Sequence, residues 1–163
     1  MSLNIIDGDV QDLAEKKAYI NIIAEAEEKR DKKVDVKRLY SHLTDLGLEY
    51  GTTFANMTKA RLARNSCVAN IPIPDTAAVM PLEFQYAFLL HPATLSSMPH
   101  PILIALFAEV GPLPGPAVTV FLGEIFVAQN ITSESGHVLT VYISTKKKDE
   151  RYISASMSII DKN

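Results

Sequence analysis

Hydrophobic and polar positions divide the chain into a helical front and a strand-rich remainder. Over residues 11–33, Leu13, Ile20, Ile23 and Ala24 fall near one helical face, while Glu15, Lys16, Glu27, Glu28 and Lys29 fall mostly elsewhere. That pattern predicts a solvated surface helix packing one stripe. A second helix is predicted over Val36–Leu46, with Asp35 as N-cap and Gly47 as its stop. Its apolar stripe is Val36, Leu39, Tyr40, Leu43 and Leu46.

After Gly51 the period shortens. Residues 53–73 have β character, alternating at Cys67, Ala69, Ile71 and Ile73, with Pro72 and Pro74 ending the run. Residues 82–90, 117–128 and 137–144 also read as strands. The final run sets Ile153, Ala155, Met157 and Ile159 against Ser154, Ser156 and Ser158. The lysines of TKKKDE, 145–150, fit an exposed hairpin loop that guards the sheet against edge pairing. Between the strand groups lies an apolar helix from about Pro101 to Val110. The pattern implies an α+β fold, an antiparallel sheet wrapped around a central helix, over residues 34–163, with residues 1–33 as a helical extension.

A length of 163 residues suits one domain, and the net charge of -3 offers no basic surface for nucleic acid. The longest clean apolar run, Ile102–Ala108, is too short to span a membrane, and the first twenty residues have no signal-peptide core. A lone cysteine, Cys67, permits no internal disulfide or cysteine metal cluster, which fits a cytoplasmic setting. Neither a Gly-rich phosphate loop, a Ser-His-Asp spacing nor a two-histidine metal motif is present, so no cofactor or metal is expected.

Two motifs carry a family likeness. GLEYGTTF, 47–54, is followed some forty residues later by HPATLSSMPH, 91–100. Together with VTVFLGEIFV at 118–127 and the closing strand pair, they resemble the C-terminal hotdog half of the dehydratase domain of fungal highly reducing polyketide synthases. The resemblance covers roughly residues 34–163 and implies a hotdog fold and a polyketide-derived substrate. It also implies a partner hotdog, expected as a homodimer that rebuilds the double hotdog over an otherwise exposed edge.

The departures from that family bear on chemistry. Its second half carries YGPxF and HPxxLDxxxQ, where the aspartate protonates the departing hydroxyl and the glutamine orients it. In this chain the aspartate position is Ser96, the glutamine position is His100, and Thr52 replaces the proline. The family's catalytic histidine, in an HxxxGxxxxP element of the first hotdog, has no counterpart in the sequence. A serine hydroxyl is too weak an acid to serve unaided near neutral pH, so dehydration by one copy of this chain is not expected.

The likeness makes His100, Ser96 and Tyr50 the candidate catalytic residues and places His91, Leu95 and Phe54 along the substrate channel. Each has a plainer reading. His91 fits a structural hydrogen bond at a helix start, and His100 fits either a capping or a proton-transferring residue, since histidine titrates in the useful range. Ser96 suits a bond to its own helix backbone, and Tyr50 a core ring with a satisfied hydroxyl. His42 and His137 read as ordinary surface positions. Pro99 and Pro101 should interrupt the helix, leaving a helical turn at 93–97, Met98 and His100 extended or turn-like, and a restart at Pro101.

Two functions follow: a dehydratase-derived cyclase or isomerase acting by positioning, or a non-catalytic remnant that binds a ligand or docks to a synthase.

Overall fold

The computed structural model describes residues 2–6, 32–63, 66–111, 115–128, 131–147 and 153–161. The helix expected over 11–33 lies outside these residues, except that Lys32 and Lys33 belong to a strand. In chain order the elements are β1 (Ser2–Ile6), β2 (Lys32–Val34), α1 (Val36–Asp45), β3 (Lys59–Ala63) and β4 (Ser66–Pro72). Then come α2 (Pro92–Ser97), α3 (His100–Val110), β5 (Glu124–Ala128), β6 (Val138–Lys147) and β7 (Ile153–Ile160).

Five strands form one antiparallel sheet in the order β2-β3-β4-β6-β7. The alternation in β4 explains its register. Cys67, Ala69 and Ile71 pair with Ile143, Val141 and Leu139 of β6, and all six side chains are buried. The rows extend outward, with Ala60 beside Ala69 and Leu62 beside Cys67 on one flank. On the other flank Ile159 lies beside Val141 and Met157 beside Ile143. Cross-strand rows of this kind are the unit of sheet stabilisation.

The central helix α3 packs on β3, β4 and β6, and Leu103, Ile104 and Ala105 join the sheet residues in one core. Its sequence, HPILIALFAEV, is apolar on nearly every side, which only a buried helix tolerates. This is the α+β arrangement of a sheet around a central helix that the sequence pointed to. Among the described residues no helix is long and apolar enough to cross a membrane.

α1 ends as expected. The Asp35 Oδ1 accepts the Arg38 N–H at 3.1 Å. Gly47, at φ +86°, closes the helix: its N–H reaches the Thr44 carbonyl at 2.9 Å and the Leu48 N–H reaches the Leu43 carbonyl at 2.8 Å.

Several expectations fail. Residues 2–6 of the expected helical extension form β1, and residues 53–58 of the run read as β form no strand. Residues 82–90 form no strand: Pro81 opens a short 3₁₀ turn, Leu82 and Glu83 take φ values of 63° and 50°, and Leu82, Phe84, Tyr86, Phe88 and Leu89 are exposed. Only Glu124–Ala128 of the run 117–128 is extended in a ladder, and it pairs in parallel with β1 rather than within the main sheet. Most of the apolar side chains of both runs are exposed, though Leu90 and Ala117 pack against the core and Val127 is buried. Finally, Thr145–Lys147 continue β6 instead of forming a loop.

The fully buried Ile71 should be costly to truncate. Ile71→Ala should lose about 2–5 kcal/mol of stability in urea unfolding, while exposed Lys146→Ala should change it by less than about 0.5 kcal/mol.

Candidate functional site

Three segments meet at the start of α3. α1 supplies Tyr40, the segment after its glycine stop supplies Tyr50, and the α2–α3 junction supplies His100. The junction is less broken than its prolines suggest. Met98 (φ -59°, ψ -38°) and Pro99 (φ -74°, ψ -14°) both keep helical dihedrals, and α3 restarts at His100. Proline's fixed φ already suits a helix, and the complete burial of the Met98 side chain overrides the local bias against helix before proline. Met98 and His100 are therefore helical or in a helical turn, not extended.

That continuity keeps the His100 side chain inside, at 3 % exposure. Its Nδ1 lies 2.9 Å from the Tyr40 hydroxyl oxygen, which also accepts the Met57 N–H at 3.3 Å. The Tyr50 ring is centred 4.4 Å from the imidazole at an interplanar angle of 59°, and Tyr40 meets Tyr50 edge-on at 6.1 Å. The Nε2 of His100 is buried without a hydrogen-bond partner, as are the His42 Nε2 and the Thr94 Oγ1 among the described residues.

Burial sets the charge of this cluster. Desolvation pushes the His100 pKa from its ordinary 6.5 down to about 4. Tyr40 is pushed up to about 12, chiefly by desolvation, with the Met57 N–H opposing and Tyr50 adding to the rise. Both groups are neutral at pH 7. The expectation that His100 titrates near neutrality is thus overturned: an imidazole taken out of water resists protonation.

The other candidates have distinct settings. His91 caps α2: its Nδ1 accepts the Ala93 N–H at 3.1 Å, and its Nε2 lies 3.2 Å from the Thr76 hydroxyl, which in turn donates to Gln85. Both ring nitrogens are therefore occupied. Leu95 packs half-buried against the core, and the Phe54 side chain is exposed.

Ser96 shares the exposed side of α2 with Pro92, because Ala93, Thr94 and Ser97 take the inner side. Its neighbour Ser97 is the buried serine. The Ser97 hydroxyl lies 2.8 Å from the Phe54 carbonyl and 2.9 Å from that of Ala93, tying the 51–56 segment to α2. Tyr50 and His100 are thus brought together, and Ser96 is exposed.

Sequence reading missed Tyr40 and Ser97. Tyr40 was counted as apolar stripe, yet a tyrosine on a buried face needs a partner for its hydroxyl, and that was the available signal. His137 is not an ordinary surface residue either, since its Nε2 meets the Asp161 Oδ1 at 2.6 Å. His42 is half-buried and packs edge-on against Phe107 at 5.1 Å. Among the described residues no cluster of histidine, cysteine or carboxylate groups could hold a metal.

A depressed histidine pKa has a definite sign in stability. The unfolded chain binds the His100 proton below pH 6.5 and the folded chain only near 4. Stability is full above 6.5, falls as pH drops toward 4, and the total loss is about 3 kcal/mol. Urea titrations across this window should show that loss in the wild type and a flatter profile in His100→Gln. Parallel profiles would contradict it.

Residues 24–163 match the family model for the polyketide synthase dehydratase N-terminal domain. The motifs had pointed to the C-terminal half of the same domain, and the two descriptions differ in this respect. The chain is 49% identical over 158 residues to the highly reducing polyketide synthase phiA of a fungal species, covering 97% of this chain and 6% of the relative. It is equally 49% identical to the highly reducing polyketide synthase tstA of Talaromyces stipitatus, covering 96% and 6%. The chain thus spans about 6% of the length of these curated relatives. Among solved structures, the dehydratase domain from the CurJ module of curacin polyketide synthase aligns with a TM-score of 0.58 at 16% identity, covering 85% of this chain and 47% of that one. The dehydratase domain of RzxB from Pseudomonas fluorescens aligns at 0.57 and 18%, covering 80% and 44%. These two show the shared hotdog fold. The chain belongs to the polyketide synthase dehydratase family.

Proposed function

We propose that the chain binds a polyketide-derived acyl chain beside His100 and promotes its isomerisation or cyclisation by positioning and hydrogen bonding, without His-Asp dehydration. One observation carries this reading: a buried, neutral His100 with an unpartnered Nε2 stands where the family motif has glutamine, while Ser96 replaces the acid. A neutral donor in a water-excluded site polarises a carbonyl without transferring a charge to it. Tyr50, whose ring lies tilted against the imidazole at 4.4 Å, forms the adjoining wall. Ser96, His91, Leu95 and Phe54 lie on the same two segments that frame it, as channel residues.

The exposed apolar side chains support a two-fold homodimer that completes a double hotdog. Leu82 is 97 % exposed, Tyr86 77 % and Phe121 78 %, an apolar display that soluble surfaces ordinarily bury against a partner. In a longer polypeptide of the relatives' kind, a second hotdog in the same chain would take that place.

A second reading, a non-catalytic ligand-binding or docking hotdog, draws on the exposure of Ser96 and the loss of the acid.

Incubation with unsaturated and hydroxylated acyl thioesters, followed by mass analysis, should give products isobaric with the substrate. A product that has lost water would establish dehydration instead, and no product at all would favour the non-catalytic reading. His100→Phe should lower turnover by about 10²-fold or more, the usual loss for one preorganised donor. Light scattering at high micromolar concentration should report a dimer, and a monomer would point to the intrachain partner.

A further inference from the structure

We infer that Tyr40 is a positioning residue, whose hydroxyl locks the His100 ring in the tautomer protonated on Nε2, so that the ring presents a neutral N–H donor to a ligand carbonyl oxygen. The nature of the ligand rests on the acyl-chain reading above. The tautomer does not.

The assignment follows from counting donors. A phenol oxygen has one proton to give and lone pairs to accept with, whereas a backbone N–H only donates. Met57 N–H therefore takes an acceptor site on the Tyr40 oxygen. If Nδ1 also donated to that oxygen, the phenol would accept twice and its own proton would need another acceptor. If Nδ1 accepts instead, at 2.9 Å, the Tyr40 proton, the Met57 N–H and the Nδ1 lone pair are all satisfied at once. A neutral imidazole that accepts on Nδ1 carries its proton on Nε2.

That proton is the one polar group of the cluster left over. His100 is almost wholly buried, and its Nε2 has no partner. Buried N–H groups are nearly always satisfied, so an orphan held this firmly marks where an acceptor belongs. The ring cannot easily turn away. Tyr40 holds Nδ1, the Tyr50 ring lies 4.4 Å off, and Pro99 and Pro101 flank the residue. The rings that meet the imidazole are those of Tyr40 and Tyr50, and Tyr40 is neutral at pH 7. A neutral N–H donor selects an oxygen acceptor such as a thioester or ketone carbonyl over a cation.

The decisive measurement is nitrogen-15 NMR of the histidine-labelled full chain near neutral pH. The His100 resonances should show Nδ1 as a bare acceptor and Nε2 as protonated. Tyr50→Phe should keep that signature, and Tyr40→Phe, which preserves the ring but removes the hydroxyl, should give mixed tautomers. The N-acetylcysteamine thioester of crotonic acid should shift the Nε2 resonance. It should bind Tyr40→Phe between about two- and tenfold more weakly, the usual worth of one neutral hydrogen bond. A wild-type Nδ1–H tautomer, or an unchanged tautomer in Tyr40→Phe, overturns the lock. An intact lock with an Nε2 resonance unmoved by the thioester overturns the carbonyl role. The wild-type spectrum decides the tautomer whatever the stability of the variants. Because it is read without ligand, failure of the lock is distinct from failure of the acyl-chain reading, which shows in the product analysis.

Discussion

The burial of α3 is the constraint from which the rest of the structure follows. A segment reading HPILIALFAEV has almost no polar face, so it is stable only with protein on most sides. The sheet supplies one side through the paired rows of β4 and β6, and α1 supplies another through Tyr40 and His42. Because α3 begins at His100 rather than beyond it, sinking the helix also sinks the imidazole. The unusual chemistry of the site is thus a by-product of packing: desolvation, and not a neighbouring charge, holds His100 neutral.

The parts of this fold that were legible in the sequence are those where local pattern and tertiary burial agree. α1 announced itself by Asp35, a stripe and Gly47, and all three act as read. The alternation at Cys67, Ala69 and Ile71 marked the inner face of β4 because β6 and α3 cover it. Where apolar periodicity had no core to face, it misled. LEFQYAFLL is short and rich in aromatic residues like a strand, yet most of its apolar side chains are exposed and its backbone turns at Leu82 and Glu83. A period says which residues would share a face, but only the fold says whether anything lies against it.

The site divides along the same line. Motif likeness led to Tyr50 and His100, which do come together, because both lie on segments anchored to the core. It could not reveal that Ser97, not Ser96, turns inward, since one residue on a short helix decides which serine meets the Phe54 carbonyl. Nor could it give the protonation state of His100. A free histidine sits near pH 6.5 by default, and the shift toward 4 arises from desolvation, which depends on how the fold buries the ring.

Replacing an aspartate position by serine and burying a histidine at the next helical turn change the kind of chemistry together. An acid-base pair needs one group that gives up a proton and one that takes it, with both charge states reachable near neutral pH. Ser96 supplies no acid, and His100 and Tyr40 are both neutral at pH 7. What survives is a set of fixed dipoles in a dry setting, where a hydrogen bond acts more strongly than in water and needs no reorganisation as charge develops. On the reading proposed above, such dipoles would serve a reaction in which electron density moves onto a carbonyl and returns within one chain, whereas expelling a hydroxyl would need a proton from outside His100 and Tyr40.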